Sequence, residues 1–188
     1  MKPKKKIVIT GGPGSGKTTI INRLKELEFH CFDEISRNFI ALGKKNGKDN
    51  FFKEEPQTFS QFLWEGRLGQ YRESEQIESP KNINPWLFFD RGLPDVVAYL
   101  KYMNHSMDSW ENELNDYPYD LIFLITPEKS IYRQDKERME SFEEALEIHR
   151  LLQQTYHPLG HCIEVPFLTV DERVNFVLKN CKTLNTSP

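Results

Sequence analysis

Apolar residues along this chain follow two alternating patterns. Short continuous apolar runs predict buried strands at residues 7–9, 29–32, 85–90, 120–127 and 162–166. Between them, apolar residues three or four positions apart predict helices at 19–27, 35–42, 56–77, 96–103, 128–156 and 171–181, with a short helix around 110–114. Residues 43–56 are polar and contain glycine, which predicts a mobile loop. Strands alternating with helices predict an α/β fold, a doubly wound parallel sheet of five strands.

A glycine-rich segment follows the first predicted strand and fits the pattern G-x-x-x-x-G-K-[ST]. A helical pattern begins directly after it, so strand, loop and helix stand in the order that a phosphate-binding loop requires. Glycines allow the backbone to curl with its N–H groups pointing at phosphate oxygens, and the start of the helix adds its positive dipole end. The residues expected to bind the phosphates are Gly11, Gly12, Pro13, Gly14, Ser15, Gly16, Lys17, Thr18 and Thr19.

Two side chains of this segment have chemistry of their own. Lys17 can reach the β- and γ-phosphates, where we expect it to act in catalysis, and the Thr18 hydroxyl can ligate Mg²⁺. The alternative is a structural glycine-rich turn between a strand and a helix. The complete pattern in its proper context favours a nucleoside triphosphate site, with ATP and Mg²⁺ as the cofactors.

Two acids, Asp33 and Glu34, follow the second predicted strand. Ligands of open α/β sheets bind at the carboxyl ends of the strands, so these acids should face the same crevice as the glycine-rich loop. Phosphoryl transfer to a hydroxyl needs a base, and Glu34 is the first candidate. Asp33 ranks second because side chains alternate along a strand, and it could instead cap the next helix. Arg37 could bind acceptor or phosphate, or form a salt bridge.

The third predicted strand ends in Asp90, and Arg91 follows directly. An apolar run ending in Asp downstream of such a loop is typical of a Walker B strand, whose Asp holds Mg²⁺ opposite Thr18. Asp120 lies at the amino end of its strand and is a poorer candidate.

Composition excludes several classes of function. The chain has 188 residues and a net charge of −3, so a single α/β domain over residues 1–188 is expected, and nucleic acid is not the expected main partner. Three widely spaced cysteines without a C-x-x-C pair indicate reduced thiols in a cytoplasmic protein and no zinc site. The basic start lacks the apolar region of a signal peptide, and no run is long enough to span a bilayer.

Five stretches together resemble the small "AAA domain / predicted ATPase" family, which is itself similar to nucleoside and nucleotide kinases and to the nicotinamide riboside kinase domain. These stretches are residues 11–19, 32–37, 88–95, 131–138 and 165–173. The resemblance implies a three-layer α/β/α P-loop NTPase fold with strand order 2-3-1-4-5, a Mg²⁺–ATP site and a second pocket. It covers nearly the whole chain but leaves the physiological substrate open.

The resemblance also implies roles for individual residues. Glu34 resembles the acid that small-molecule kinases carry after the second strand. Arg91 resembles their arginine that contacts phosphate or acceptor, with a structural ion pair as the alternative. Arg133 and Arg138 fall where such kinases carry a helical lid, here about 128–150, although a solvated helix with ion pairs four residues apart is the alternative. Pro166 lies in a loop that passes near adenine in similar folds.

Two functions remain open from the sequence. The first is a Mg²⁺-dependent phosphotransferase that acts from ATP on a small, nucleoside-like acceptor. The second is an ATPase or nucleotide-dependent switch, in which water is the acceptor and a protein partner reads the bound state. No Asn-Lys-x-Asp segment in a suitable place supports a GTPase, and the size leaves no room for the separate helical domain of an oligomeric motor.

Overall fold

Five parallel strands form one sheet within the described residues. The computed structural model describes residues 4–45, 47, 51–77, 84–132 and 140–184. The strands are β1 (Lys5–Thr10), β2 (His30–Phe32), β3 (Trp86–Asp90), β4 (Leu121–Ile125) and β5 (Cys162–Val165). Their order in the sheet is β2-β3-β1-β4-β5, and every neighbouring pair is parallel. The predicted fold class and strand order are confirmed.

Helices connect the strands and lie on both faces of the sheet. In chain order they are α1 (Lys17–Glu26), α2 (Ser36–Lys45), α3 (Phe51–Glu54), α4 (Pro56–Gln76), α5 (Leu93–Tyr102), α6 (Asp108–Glu113), α7 (Phe142–Tyr156) and α8 (Val170–Thr183). Short 3₁₀ turns follow α6 at Leu114–Asp116 and α7 at His157–Leu159. Every residue of β3 and β4 is buried, because helices cover both faces.

The core is divided by the sheet into two apolar layers. On one face, Ile20 and Leu24 of α1 pack with Val177 of α8. On the other face, Ala98 of α5 packs with Leu152 of α7. These layers hold the carboxyl ends of β1 and β3 in place, and the register pairs Ile9 with Asp90 at that edge.

Residues 43–56, predicted as a mobile loop, are largely helical where they are described. Helix α2 continues to Lys45, and Phe51–Glu54 form α3. Phe51 is only 4 % exposed and lies edge-on to Phe59 at 5.4 Å between ring centroids. For residues 43–45 and 51–54 the prediction was wrong, because a third apolar cluster, formed mainly by α3, α4 and α5, contains an aromatic side chain from this otherwise polar stretch.

The helix predicted over 128–156 begins only at Phe142 within the described residues, and residues 129–131 form a turn. Ser141 caps the helix, since its Oγ accepts a hydrogen bond from the Glu144 amide and the Glu144 carboxylate accepts one from the Ser141 amide. Ala145 and Ile148 are completely buried, so this part of the predicted lid belongs to the core.

Helix α5 begins at Leu93, three residues before the predicted start at Val96. Asp95 accepts a hydrogen bond from the Gly92 amide at the start of the helix, which gives the first turn a partner that periodicity does not reveal.

Among the described residues, no helix combines the length and apolar character needed to cross a bilayer.

Candidate active site

The glycine-rich segment leaves β1 and curls into the first turn of α1. Three of its glycines have positive φ angles, 149° at Gly11, 75° at Gly14 and 89° at Gly16. Residues with a Cβ rarely adopt these conformations, so glycine is needed at each bend. The backbone therefore has the curled form that the glycine spacing predicts.

Close packing beneath the loop adds a second reason for glycine. A Cβ on Gly11 would lie 2.1 Å from the carbonyl oxygen of Ile125, and one on Gly12 would lie 2.4 Å from that of Ala145. The loop thus rests directly on β4 and α7. These two glycines are required by contacts inside the protein as well as by access for a ligand.

Lys17 is buried and folds back over the loop. Its Nζ donates to the carbonyl oxygens of Gly11 and Gly12, at 2.7 and 2.9 Å, and to Ser15 Oγ at 3.1 Å. Burial, and then the charge of Arg91, lower the pKa of Lys17 to about 7. A bound polyphosphate would place negative charge beside the Lys17 ammonium group and favour its charged form.

The two threonines after Lys17 are exposed. Thr19 Oγ1 donates to the Gly16 carbonyl at 2.7 Å, so this hydroxyl closes the first turn of α1. Pro13 is buried within the loop and, as a proline, has no backbone N–H to donate. Thr18 remains the residue of this turn proposed to hold a metal ion.

Glu34 lies at the carboxyl end of β2 between two arginines. Its Oε1 accepts from Arg67 Nη2 at 2.8 Å and from the Ser36 amide at 3.0 Å, while its Oε2 pairs with Arg91 Nε. Burial alone would raise the pKa of Glu34, but the charges of Arg67 and Arg91 outweigh it and lower the pKa to about 2. Glu34 is therefore a fully ionised carboxylate held in a fixed position.

Arg67 was not anticipated from the sequence. It lies in the middle of α4 with 2 % of its surface exposed, and its Nη1 donates to the carbonyl oxygen of Asp90 at 3.2 Å. Arg67 therefore joins the end of β2 to the end of β3. A charged residue on the apolar face of a predicted helix is the one signal that could have revealed it.

Arg91 has a left-handed backbone, with φ 72°, and its amide donates to the Ile9 carbonyl at 3.1 Å. Such a conformation costs about 1–3 kcal/mol in a residue with a side chain. It turns the guanidinium toward Glu34, and Arg91 Nη1 also donates to Asp95 Oδ1 at 3.2 Å. The site therefore contains an arginine whose direction is set by a strained backbone.

Asp95 is the hydrogen-bonding centre below the site and was also missed as a site residue. It is 2 % exposed and accepts from Thr10 Oγ1 at 2.6 Å, from the Gly92 amide at 2.8 Å and from Tyr156 Oη at 2.5 Å, besides Arg91. It links the last residue of β1 to the segment that carries Arg91. Its place in the Asp-Arg-Gly-Leu-Pro-Asp stretch was the available signal.

Asp90 ends β3 and is 6 % exposed. Burial, and then the negative charge of Glu34, raise the pKa of Asp90 to about 6. A cation beside Asp90 would favour its ionised form. Its carboxylate and the Thr18 hydroxyl are hard oxygen donors, which fit Mg²⁺ that takes its other ligands from phosphate and water.

Other predicted site residues lie away from this centre or outside the residues that the structure describes. Asp33 is exposed and forms an ion pair with Lys25, so Glu34 is the acid that turns inward. The Ser36 amide at the start of α2 is bound by Glu34 and not by Asp33. Arg37 is exposed on α2. Arg133 and Arg138 lie outside the described residues, and their roles stay predictions.

The loop between β5 and α8, residues 166–169, lies beside the phosphate loop. Arg173 of α8 donates from Nη1 to the Ser15 carbonyl at 3.0 Å and packs its guanidinium against the ring of Phe167. Phe167 is 54 % exposed. Pro166, predicted near the nucleotide base, thus belongs to a loop that is tied to the phosphate-binding segment, and Arg173 is a further residue that pattern analysis did not single out.

A family described as "AAA domain" matches residues 6–173 of the sequence. The chain belongs to this family. A comparison with curated protein sequences finds no significant match.

Solved structures share the fold at low sequence identity. Deoxyadenosine kinase from M. mycoides, with the products dCMP and dCDP bound, aligns with a TM-score of 0.67 and 16 % identity over 95 % of this chain and 99 % of that chain. The same enzyme with bound dATP gives a TM-score of 0.61 at 15 % identity, over 94 % of this chain and 99 % of that chain. The NadR protein in complex with NR aligns with a TM-score of 0.66 at 20 % identity, over 94 % of this chain but only 51 % of NadR. The fold is therefore that of P-loop nucleoside kinases.

Proposed function

We propose that this protein transfers the γ-phosphoryl group of ATP to a small, nucleoside-like acceptor in the presence of Mg²⁺. The observation that carries the proposal is the arrangement of Glu34, Asp90 and Arg91 at the ends of β2 and β3, beside a curled loop that bears Lys17. An acid, a metal-type carboxylate and two cations in one crevice are what phosphoryl transfer to a hydroxyl requires.

In this proposal the phosphate loop and Lys17 bind the polyphosphate, and Thr18 and Asp90 hold Mg²⁺. The metal ion supplies charge neutralisation on the phosphate oxygens. Pro166 and Phe167, whose ring is exposed, would contact the nucleotide base. The ligands bound in the similar structures, deoxynucleotides in the deoxyadenosine kinase and NR in NadR, support a nucleoside-like acceptor by analogy.

Glu34 accepts the acceptor's hydroxyl proton, while the new O–P bond forms and the bond from the γ-phosphorus to ADP breaks. A carboxylate with a pKa of about 2 is a weak base, because Arg67 and Arg91 stabilise its charge. Engagement of Arg91 by phosphate would release Oε2 of Glu34 and raise its basicity. Arg67 and Ser36, which bind Oε1, would keep the carboxylate in position.

The second candidate is an ATPase or nucleotide-dependent switch that uses water. One observation favours it: both oxygens of Glu34 are already bound to arginines, so the carboxylate serves structure as well as any proton transfer. In that case a protein partner would recognise the nucleotide-bound form.

A coupled ADP-release assay separates the two candidates. Purified protein with Mg²⁺–ATP is given a panel of nucleosides, nucleotides and related metabolites. The kinase proposal expects that at least one acceptor stimulates turnover, and that Glu34→Gln abolishes this stimulation while ATP binding is retained. Slow turnover that no acceptor changes would favour the switch.

Lys17→Ala serves as the control variant in this assay. Either candidate function requires it to lose nucleotide binding or turnover, because Lys17 is the ammonium group proposed to grip the phosphates. Full activity of Lys17→Ala would contradict both.

A further inference from the structure

Arg173 connects two loops that come from distant parts of the chain. Its Nη1 donates to the Ser15 carbonyl of the phosphate loop at 3.0 Å, and its Nε donates to the Leu168 carbonyl of the loop between β5 and α8, also at 3.0 Å. The Oγ atom of Ser15 in turn accepts a hydrogen bond of 3.1 Å from the Lys17 ammonium group. The guanidinium of Arg173 is therefore connected through Ser15 to Lys17, the lysine proposed to bind the phosphates.

The same guanidinium supports an exposed aromatic ring. Its central carbon lies 4.8 Å from the centre of the Phe167 ring, which is 54 % exposed. One side of this ring is backed by Arg173, and the exposed remainder can stack on a planar ligand. Nucleobases stack on aromatic rings largely without regard to their hydrogen-bonding pattern.

The position of Arg173 is electrostatically unfavourable in the protein alone. The residue is 4 % exposed and lies in the first turn of α8, at the positive end of the helix dipole. Within the described ranges, no carboxylate forms an ion pair with Arg173, and the charge of Glu128 acts from farther away. A buried guanidinium without a carboxylate is costly, and a bound polyphosphate would compensate it.

We propose that Arg173 is a positioning residue that couples the base-stacking loop, residues 166–169, to the phosphate loop, so that the base and the phosphates of ATP are bound cooperatively. The inference rests on the proposed function only in taking ATP as the nucleotide. Lysine cannot replace arginine here, because an ammonium group lacks the planar fork that bonds to two carbonyls and packs on a ring at once.

Isothermal titration with two probes, ATP and inorganic tripolyphosphate, tests the coupling in the wild type, Phe167→Ala, Arg173→Lys and the double variant. Phe167→Ala should weaken ATP about tenfold through lost stacking and leave tripolyphosphate within about twofold. Arg173→Lys keeps the positive charge and should also leave tripolyphosphate within about twofold, but it should weaken ATP about tenfold because it releases the stacking loop from the phosphate loop. In the double variant the ATP loss should stay near tenfold, well below the roughly hundredfold product expected for independent sites.

Independent losses that multiply to about a hundredfold would overturn the inference, as would wild-type affinity of Arg173→Lys for ATP. Thermal unfolding without ligand checks that each variant is folded. Should Arg173→Lys fail to fold, hydrogen exchange of the wild type provides the test. Adenosine alone should slow exchange of a peptide covering residues 11–18, and Phe167→Ala should remove the effect; an unchanged peptide in the wild type contradicts the coupling.

This inference and the proposed function can fail separately. If the losses in the variants prove independent, acceptor-dependent ADP formation by the wild type is unaffected as evidence for the kinase. A protein that never phosphorylates an acceptor could still bind the base and phosphates of ATP cooperatively.

Discussion

Arg67 and Glu34 are 33 residues apart in the chain, yet Nη2 of Arg67 donates a hydrogen bond of 2.8 Å to Oε1 of Glu34. The same arginine binds the Asp90 carbonyl, so one buried side chain of α4 holds the ends of two strands together. The acid proposed to accept a proton and the strand that carries the proposed metal ligand are thus fixed relative to each other.

Replacing Arg67 with Met should leave Glu34 short of one buried cation. We expect the free energy of unfolding to fall by about 3–5 kcal/mol, as is typical when one partner of a buried ion pair is removed. Urea denaturation at pH 7 measures the change. Arg72→Met, at an exposed position of the same helix, is the matched control and should change stability by less than about 0.5 kcal/mol. Equal effects of the two substitutions would contradict the assigned role of Arg67.

The raised pKa of Asp90 predicts that the stability of the protein depends on pH. Its pKa is raised from 3.8 to about 6, so the protonated carboxyl stabilises the folded state and this contribution is lost as the pH rises through 6. Asp90→Asn removes that titration. Between pH 4.5 and 8, without Mg²⁺, the variant should gain about 2 kcal/mol of stability relative to the wild type.

Denaturation curves across this pH range test the prediction, and Asp116→Asn at an exposed site is the control. A difference between Asp90→Asn and the wild type that does not change with pH would show that burial does not disfavour the Asp90 carboxylate.

The hydroxyl of Tyr156 supports the strained segment at Arg91 through Asp95. It donates to Asp95 Oδ2 at 2.5 Å and lies 3.1 Å from the Gly92 amide, which donates to it. Tyr156→Phe keeps the ring but leaves buried polar groups short of a partner, and should cost about 1–3 kcal/mol in chemical denaturation. Tyr102→Phe, whose hydroxyl donates to Glu144, is the matched control and should cost less. If Tyr102→Phe is as damaging as Tyr156→Phe, the bonds of Tyr156 to Asp95 and Gly92 do not have the assigned importance.

Gly14 is required for packing as well as for its backbone angle. A Cβ there would lie 2.4 Å from the Tyr132 ring, whereas no described atom lies within 4 Å of one built on Gly47, which has nearly the same φ. Gly47→Ala should therefore cost only the backbone strain, about 1–2 kcal/mol. Gly14→Ala should cost more and should also weaken ATP binding, as thermal unfolding with and without ATP would measure. Equal losses of stability would mean that Tyr132 moves aside freely.

The phosphate loop and the alternation of strands and helices were determined by the sequence itself. Glycines at the bends of residues 11–16 act through their own φ angles, and a continuous apolar run such as that of β4 has to be buried on both faces. Both are local properties, so a reader of the sequence can find them without knowing any contact. Strand alternation indicated that only one of Asp33 and Glu34 would face the crevice, and the resemblance to small-molecule kinases favoured Glu34.

Only the tertiary structure decided what surrounds those elements. Arg67, Asp95 and Arg173 reach the site through bonds to residues 33, 85 and 158 positions away, and such distances leave no periodic trace in the sequence. For the same reason, the polar stretch in which Phe51 stands predicts a loop. In the structure, Phe51 is buried in the aromatic cluster around α4. Burial of these charged and aromatic side chains depends on which surfaces meet, and that depends on the completed fold.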